Sequence, residues 1–270
     1  MPPETTPTNG RARVQFVAMA NQKGGVGKTT TAVNASVELA RHGIRVLLVD
    51  LDPQGNTTSS LGIDKTGLES TVYDVILGDT PTERAILTAV RPNLDLLPTT
   101  ADLAAAEVDL VEVVHRERQL KRALGQVSAS YDLVIIDCPP SLGLLTVNAL
   151  TAATGVIIPI QSEFLALEGV SQLITTIDLV KRQLNPGLDL LGVLITMYDS
   201  RTNLSNSVVE EVRRFFPDRI FNTLVPRSVR LAEAPSYGQA IGEYDPSSRG
   251  SRAYADFTRE LIERLGLRYD

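Results

Sequence analysis

The chain has 270 residues, 43% hydrophobic and 21% charged, which is enough for one large α/β domain with a well-buried core and short for two. A net charge of −6 argues against a surface that binds nucleic acid all over, and the absence of Trp with only 5% aromatic residues argues against a base-stacking platform; a local basic patch stays open. The single cysteine, Cys138, excludes an intramolecular disulfide and argues against a Cys-rich zinc or iron–sulfur centre within one chain, so a reducing, cytoplasmic compartment is expected.

Residues 1–12 are rich in Pro and Thr, have no apolar period and lack the apolar core of a secretory signal. They read as a disordered tail, leaving 13–270 as a single domain. No window is an uninterrupted apolar span of membrane length. From residue 14 onward apolar runs alternate with amphipathic helical patterns, the signature of an α/β fold with a mostly parallel β-sheet flanked by helices on both faces. The periodicity predicts strands at about 14–20, 45–50, 94–97, 132–137, 155–160, 189–197 and 219–224. It predicts helices at about 28–42, 71–77, 82–89, 101–113, 115–126, 143–153, 166–184, 205–216 and 252–265. Gly43 and Asn185-Pro186-Gly187 stand where two of these helices should stop. Ligands on such sheets gather at the carboxyl ends of strands, so chemistry is expected just after them.

The first strand is followed by Lys23-Gly24-Gly25-Val26-Gly27-Lys28-Thr29-Thr30, and a helix opens there. Glycines at 24, 25 and 27 let the backbone turn tightly and aim several N–H groups, Val26 among them, at one point. The helix N-terminus adds its positive end. That combination cradles a polyphosphate. Lys28 is placed for the β- and γ-phosphates, the Thr29 hydroxyl for Mg²⁺ and Thr30 for an inner phosphate. The Gly usual at the first position of such a loop is Gln22 here, and an additional cation, Lys23, precedes the glycine pair. A lysine beside a loop is ordinarily a solvated charge. This close to bound phosphates, a second cation either repels Lys28 to no purpose or serves a phosphoryl group.

This arrangement resembles the deviant Walker A loop of the ParA/MinD class of P-loop NTPases. In that class the signature lysine reaches across a nucleotide-sandwich dimer, so the resemblance implies a homodimer with ATP in which Lys23 completes the partner's site.

The second strand ends in Asp50-Leu51-Asp52-Pro53-Gln54-Gly55-Asn56. Two acids there can organise hydrated Mg²⁺ or orient an attacking water; alone, they could equally cap the turn before Pro53. The run is similar to the family's switch I, which implies that Asp52 positions the hydrolytic water and Asp50 supports Mg²⁺. The apolar run ending at Asp137, before Cys138-Pro139-Pro140, is a Walker B pattern that delivers Asp137 to the Mg²⁺ shell. Ser141-Leu142-Gly143 resembles switch II. Nothing near Cys138 in sequence would lower its thiol pKa, so it is expected to be inert.

Further along, the resemblance implies that Met197, Pro226 and Arg227 hold the adenine base. The stretches Arg201-Thr202-Asn203-Leu204 and Val225–Gly238 closely resemble chromosomal ParA/Soj proteins, in which arginines at the places of Arg201 and Arg230 contribute to nonspecific binding of double-stranded DNA. Arginines on phosphates give affinity without sequence readout. The family reading is a partition ATPase, cytoplasmic and nucleoid-associated. It dimerises on ATP and is released by hydrolysis that a ParB-type centromere-binding protein stimulates. The alternative, a MinD-like membrane-cycling ATPase, calls for a C-terminal cationic amphipathic helix. Residues 254–270 mix both charge signs and read as a helix packed on the domain, so no membrane partner is expected.

Overall fold

The computed structural model describes residues 14–163 and 168–268; the expected disordered tail, 1–12, lies outside the described residues. Eight strands among them form one sheet: β1 (Gln15–Met19), β2 (Val46–Asp50), β3 (Leu87–Arg91), β4 (Leu94–Leu97), β5 (Leu133–Asp137), β6 (Gly155–Gln161), β7 (Asp189–Tyr198) and β8 (Ile220–Pro226). Their spatial order is β3-β4-β2-β5-β1-β6-β7-β8. Neighbours run parallel except β3 with β4.

The central strands are apolar throughout because both of their faces are covered. Val17 and Met19 of β1 join one core, with Val46 and Leu48 of β2 and Leu133 and Ile135 of β5. Their alternates, Ala18, Leu47, Val49, Val134 and Ile136, join the other. The helices Lys28–Arg41 and Arg249–Leu265 cover the first face, and Phe221 of β8 meets Phe257 edge-on at 4.8 Å. Helices Gln119–Val127, Leu144–Ala152, Glu168–Gln183 and Asn203–Phe215 contribute to the second core.

Two predicted helices are corrected. The one expected at 82–89 ends at Ala85, and Leu87–Arg91 forms β3, an edge strand antiparallel to β4. Thr88 and Val90 are β-branched and Pro92-Asn93 makes a hairpin turn, with Asn93 at φ 61°; that turn chemistry outweighs the helical reading of the apolar residues. The helix expected over 101–113 is a series of short turns, of which only Ala106–Asp109 is α-helical, and His115 at φ 57° closes it. Leu103, Ala106 and Leu110 are buried, spaced three and then four residues apart, a pattern that a run of short 3₁₀ and α turns satisfies as well as one long helix.

Strand order positions the site. The chain passes from β1 to β2 on one side of β1, and from β5 to β6 it crosses to the other. The carboxyl end of β1 therefore opens onto a crevice at the switch in strand order.

Candidate functional site

Every predicted motif lies at the carboxyl end of a strand: residues 23–30 follow β1, Asp50 closes β2, Asp137 closes β5, Met197 falls near the end of β7 and Pro226 closes β8. The loop after β1 is strapped to its neighbours. Buried Asn21 donates from Nδ2 to the Pro159 carbonyl at 2.7 Å, and its Oδ1 accepts from the Lys23 amide at 3.0 Å. Thr196 Oγ1, on β7, donates to the Val26 carbonyl at 2.8 Å. Gly25 and Gly27 take left-handed backbone, φ 74° and 86°, which strains any side chain. The Lys28–Arg41 helix has no side-chain cap at its start. Its first amides, including those of Thr29 and Thr30, are thus available to an anion.

Lys28 is 6% exposed, and its Nζ donates to the Lys23 carbonyl at 3.3 Å. Burial lowers the Lys28 pKa, with Asp137 nearby opposing the shift. Lys23 is exposed, as is Gly24, and its ammonium has no partner among the described residues.

Asp50 and Asp137 face each other across the β2–β5 ladder. Asp137 Oδ2 accepts from Thr29 Oγ1 and from Thr57 Oγ1, each at 2.7 Å, while its buried Oδ1 has no hydrogen-bond partner. Asp50 Oδ2 accepts from the Thr58 amide at 2.8 Å and from Thr58 Oγ1 at 2.7 Å. Burial, reinforced by Asp137, pushes the Asp50 carboxyl up to about 7. Burial also raises Asp137, to about 6, against the pull of Thr29, Thr57 and Lys28. Asp52 is buried beside them; its Oδ1 accepts from the Gln54 amide at 3.0 Å, and Oδ2 has no protein partner among the described residues.

These oxygens fit Mg²⁺. A buried carboxylate oxygen without a partner, beside threonine hydroxyls and a second acid, is a hard donor set with an unmet demand for positive charge. Among the described residues no group of three or more His, Cys, Asp or Glu is placed to hold a metal by itself. An ion here would complete its shell with phosphate and water oxygens, as Mg²⁺ habitually does. Thr57 and Thr58, absent from the sequence reading, enter through the short helix Asn56–Ser60. Asn21 was also missed, although a lone amide after an apolar strand hints at an anchoring role. Cys138 is fully buried, which pushes its thiol pKa up and makes it inert.

Met197, Pro226 and Arg227 come together at adjacent strand ends. Met197 has φ 51°, its carbonyl accepts from Ser162 Oγ at 3.1 Å, and the Arg227 amide donates to the Tyr198 carbonyl at 3.0 Å. The Arg227 guanidinium pairs with Glu163 at 2.9 Å.

The two arginines expected on DNA are separated. Arg201, its side chain 87% exposed, is held bidentately by Asp199 at 2.9 and 2.7 Å, which draws the Asp199 carboxyl well below the usual carboxylate range. It lines a groove of about 1060 Å³ between β8 and the Arg249–Leu265 helix, where five arginines, Arg201, Arg227, Arg249, Arg252 and Arg259, stand among four carboxylates, Asp199, Asp256, Glu260 and Glu263. Arg230 stands outside that lining, paired with Glu233 at 2.9 Å and Asp245 at 3.6 Å. Such exposed pairs are weak and screened by salt, so phosphates can displace them. Sequence reading missed Arg249 and Arg252, which only the packing of the last helix brings to this groove. That helix buries Ala253, Tyr254, Phe257, Leu261 and Ile262, so its apolar face is spent on the core. Among the described residues no helix is long and apolar enough to cross a membrane.

The profile of the AAA domain family matches residues 14–190. The sporulation initiation inhibitor protein Soj of Bacillus subtilis is 54% identical over 247 residues, covering 92% of this chain and 98% of Soj. The chromosome partitioning protein ParA of Myxococcus xanthus is 51% identical, covering 93% and 88%. Among solved structures, cobyrinic acid a,c-diamide synthase from Mycobacterium smegmatis with bound ATP analog and magnesium superposes with a TM-score of 0.85 at 43% identity, covering 94% of this chain and 96% of that one. The cell division ATPase MinD of Pyrococcus furiosus, at 24% identity and a TM-score of 0.77, shares the fold.

Proposed function

Since the chain belongs to the Soj/ParA family of chromosome-partitioning ATPases, we propose that it binds Mg²⁺-ATP at the loop after β1, dimerises over the nucleotide and then holds DNA without sequence preference. Lys28 and the amides of residues 24–30 hold the phosphates, and Met197, Pro226 and Arg227 wall the adenine. Thr29 and, through water, Asp137 and Asp50 would hold the ion, which when bound offsets the charge that develops on the phosphates. Asp52 Oδ2 aligns the attacking water, its carboxylate oriented by the Gln54 amide on Oδ1. Loss of the γ-phosphate dissolves the dimer and frees the DNA. A ParB-type protein accelerates that step, and the protein is cytoplasmic and nucleoid-associated.

Lys23 is the observation that carries the in-trans reading. Its backbone is committed to its own loop, the amide to Asn21 and the carbonyl to Lys28, while its exposed ammonium has no partner among the described residues. A second subunit's phosphates give that cation a role. Arg249 and Arg252, which form no ion pair among the described residues, supply the free positive charge in the groove that supports the DNA reading.

The test is light scattering and co-sedimentation of the Asp52→Ala variant with random-sequence DNA and, separately, with anionic liposomes, each with ATP, ADP or no nucleotide. A dimer retained on DNA only with ATP is expected. Retention on lipid in place of DNA would replace this reading with the membrane-cycling one.

A further inference from the structure

Lys65 belongs to none of the motifs, yet it is fastened to one of them. It opens the 3₁₀ turn Lys65–Gly67, which Asp64 caps by accepting from the Thr66 amide at 2.9 Å. From there its Nζ reaches back to donate to the Gln54 carbonyl at 3.0 Å and the Gly55 carbonyl at 3.3 Å. These carbonyls end the turn that begins at Asp52. The turn is closed on its inner side by the Gly55 amide on the Asp52 carbonyl at 2.8 Å and the Gln54 amide on Asp52 Oδ1 at 3.0 Å.

The ammonium lies close against this turn. Gly55 has φ 64°, and a Cβ built there would stand 2.8 Å from Lys65 Nζ and 3.3 Å from the Thr99 carbonyl. Directly beyond Gly55 the helix Asn56–Ser60 sends Thr57 to Asp137 and Thr58 to Asp50. Lys65 thus braces the four-residue connection between the water-aligning carboxylate and the threonines that hold both buried acids. The positive charge of the donor favours both bonds to the carbonyl oxygens. No other ammonium or guanidinium among the described residues bonds this turn.

We propose that Lys65 is a positioning residue for ATP hydrolysis: it fixes the Asp52–Gly55 turn so that the Asp52 carboxylate keeps its aim on the attacking water. The inference rests on the role assigned to Asp52 above. Its ammonium bonds the Gln54 and Gly55 carbonyls and none of the loop residues 23–30, so it acts on turnover and not on affinity.

Lys65→Met keeps the aliphatic stem and removes the donor; Lys65→Arg restores a cation. ATP turnover is measured against mant-ATP affinity, with Asp52→Ala in parallel. Misaligned catalytic groups can lose up to about 100-fold in rate, so a kcat loss of roughly tenfold or more is expected for Lys65→Met, with KM and the mant-ATP Kd within about twofold and most of the rate recovered in Lys65→Arg. Amide hydrogen exchange should quicken at residues 54–57 while residues 24–30 stay protected. Should the methionine variant fail to fold, Lys65→Gln and Lys65→Arg make the same comparison. Normal turnover in the lysine variants while Asp52→Ala is inactive overturns the role of Lys65 alone. Turnover surviving in Asp52→Ala removes Asp52 from catalysis, and the inference falls with it.

Discussion

Asp50 and Asp137 are register partners on neighbouring parallel strands, fully buried, each held by a threonine from the same five-residue helix. Two carboxylates so placed cannot both ionise cheaply without a cation between them and solvent. That demand shapes the pH behaviour of the protein.

Both carboxyls have folded-state pKa values above their unfolded ones, to about 7 for Asp50 and about 6 for Asp137. Between pH 4 and 7 the folded state therefore binds more protons than the unfolded state. Their contribution to stability is complete below the unfolded value and is lost as pH rises through the folded one. Without nucleotide, Asp50→Asn should be more stable than the unaltered chain at pH 8 by at least about 1.4 kcal/mol, the equivalent of one pKa unit, and the difference should vanish near pH 4. Thermal melts across pH 4–8 measure this. Added Mg²⁺-ATP should shrink the difference, and Mg²⁺ affinity should weaken as pH falls below about 6, where protons compete for the same oxygens.

Asn21→Ala removes two anchors at once and leaves the buried Pro159 carbonyl without its donor. A loss of about 1–3 kcal/mol in chemical denaturation is expected, with weaker ATP binding because the loop is no longer pre-set. A variant that binds ATP as tightly as before would show that Thr196 alone holds the loop.

Lys23→Ala should leave ATP affinity within about twofold, since Lys28 and the loop amides are untouched, while abolishing dimer-dependent turnover. Mant-ATP titration and light scattering separate these effects. Normal stimulated turnover from a species that stays monomeric would refute the in-trans role.

Arg249→Glu with Arg252→Glu should weaken retention on random-sequence DNA at least as much as Arg230→Glu does, with nucleotide affinity unchanged. If each arginine contacts one phosphate, the slope of log K against log salt should fall by about 0.9 per residue removed. Unaltered DNA retention and salt slope in the double variant would remove this groove from the DNA surface.

The nucleotide loop was legible in sequence because its chemistry is local: glycines, two cations and two threonines lie within eight consecutive residues, 23–30. The strands β1, β2 and β5 were legible because burial on both faces demands unbroken apolar runs. β3 was not, since a five-residue segment at a sheet edge carries too short a pattern to separate helix from strand, and what decides it is pairing with β4. The arginines proposed for DNA, Arg201 and Arg230, were named only through the resemblance of two stretches to chromosomal ParA/Soj proteins. Their division between a groove and a separate acid-paired cluster follows from where the last helix packs.

By itself the sequence determined the alternating α/β architecture and the kind of ligand, because periodicity and a phosphate loop are properties of neighbouring residues. Tertiary structure alone decided which groups meet: Asp137 with Thr57, Asn21 with Pro159, Val26 with Thr196, Lys65 with the Asp52 turn. Three of these four contacts join segments 80 to 170 residues apart. They arise from the lateral order of strands and from backbone turns that bring one side chain over another, and no pattern read along the chain contains that order.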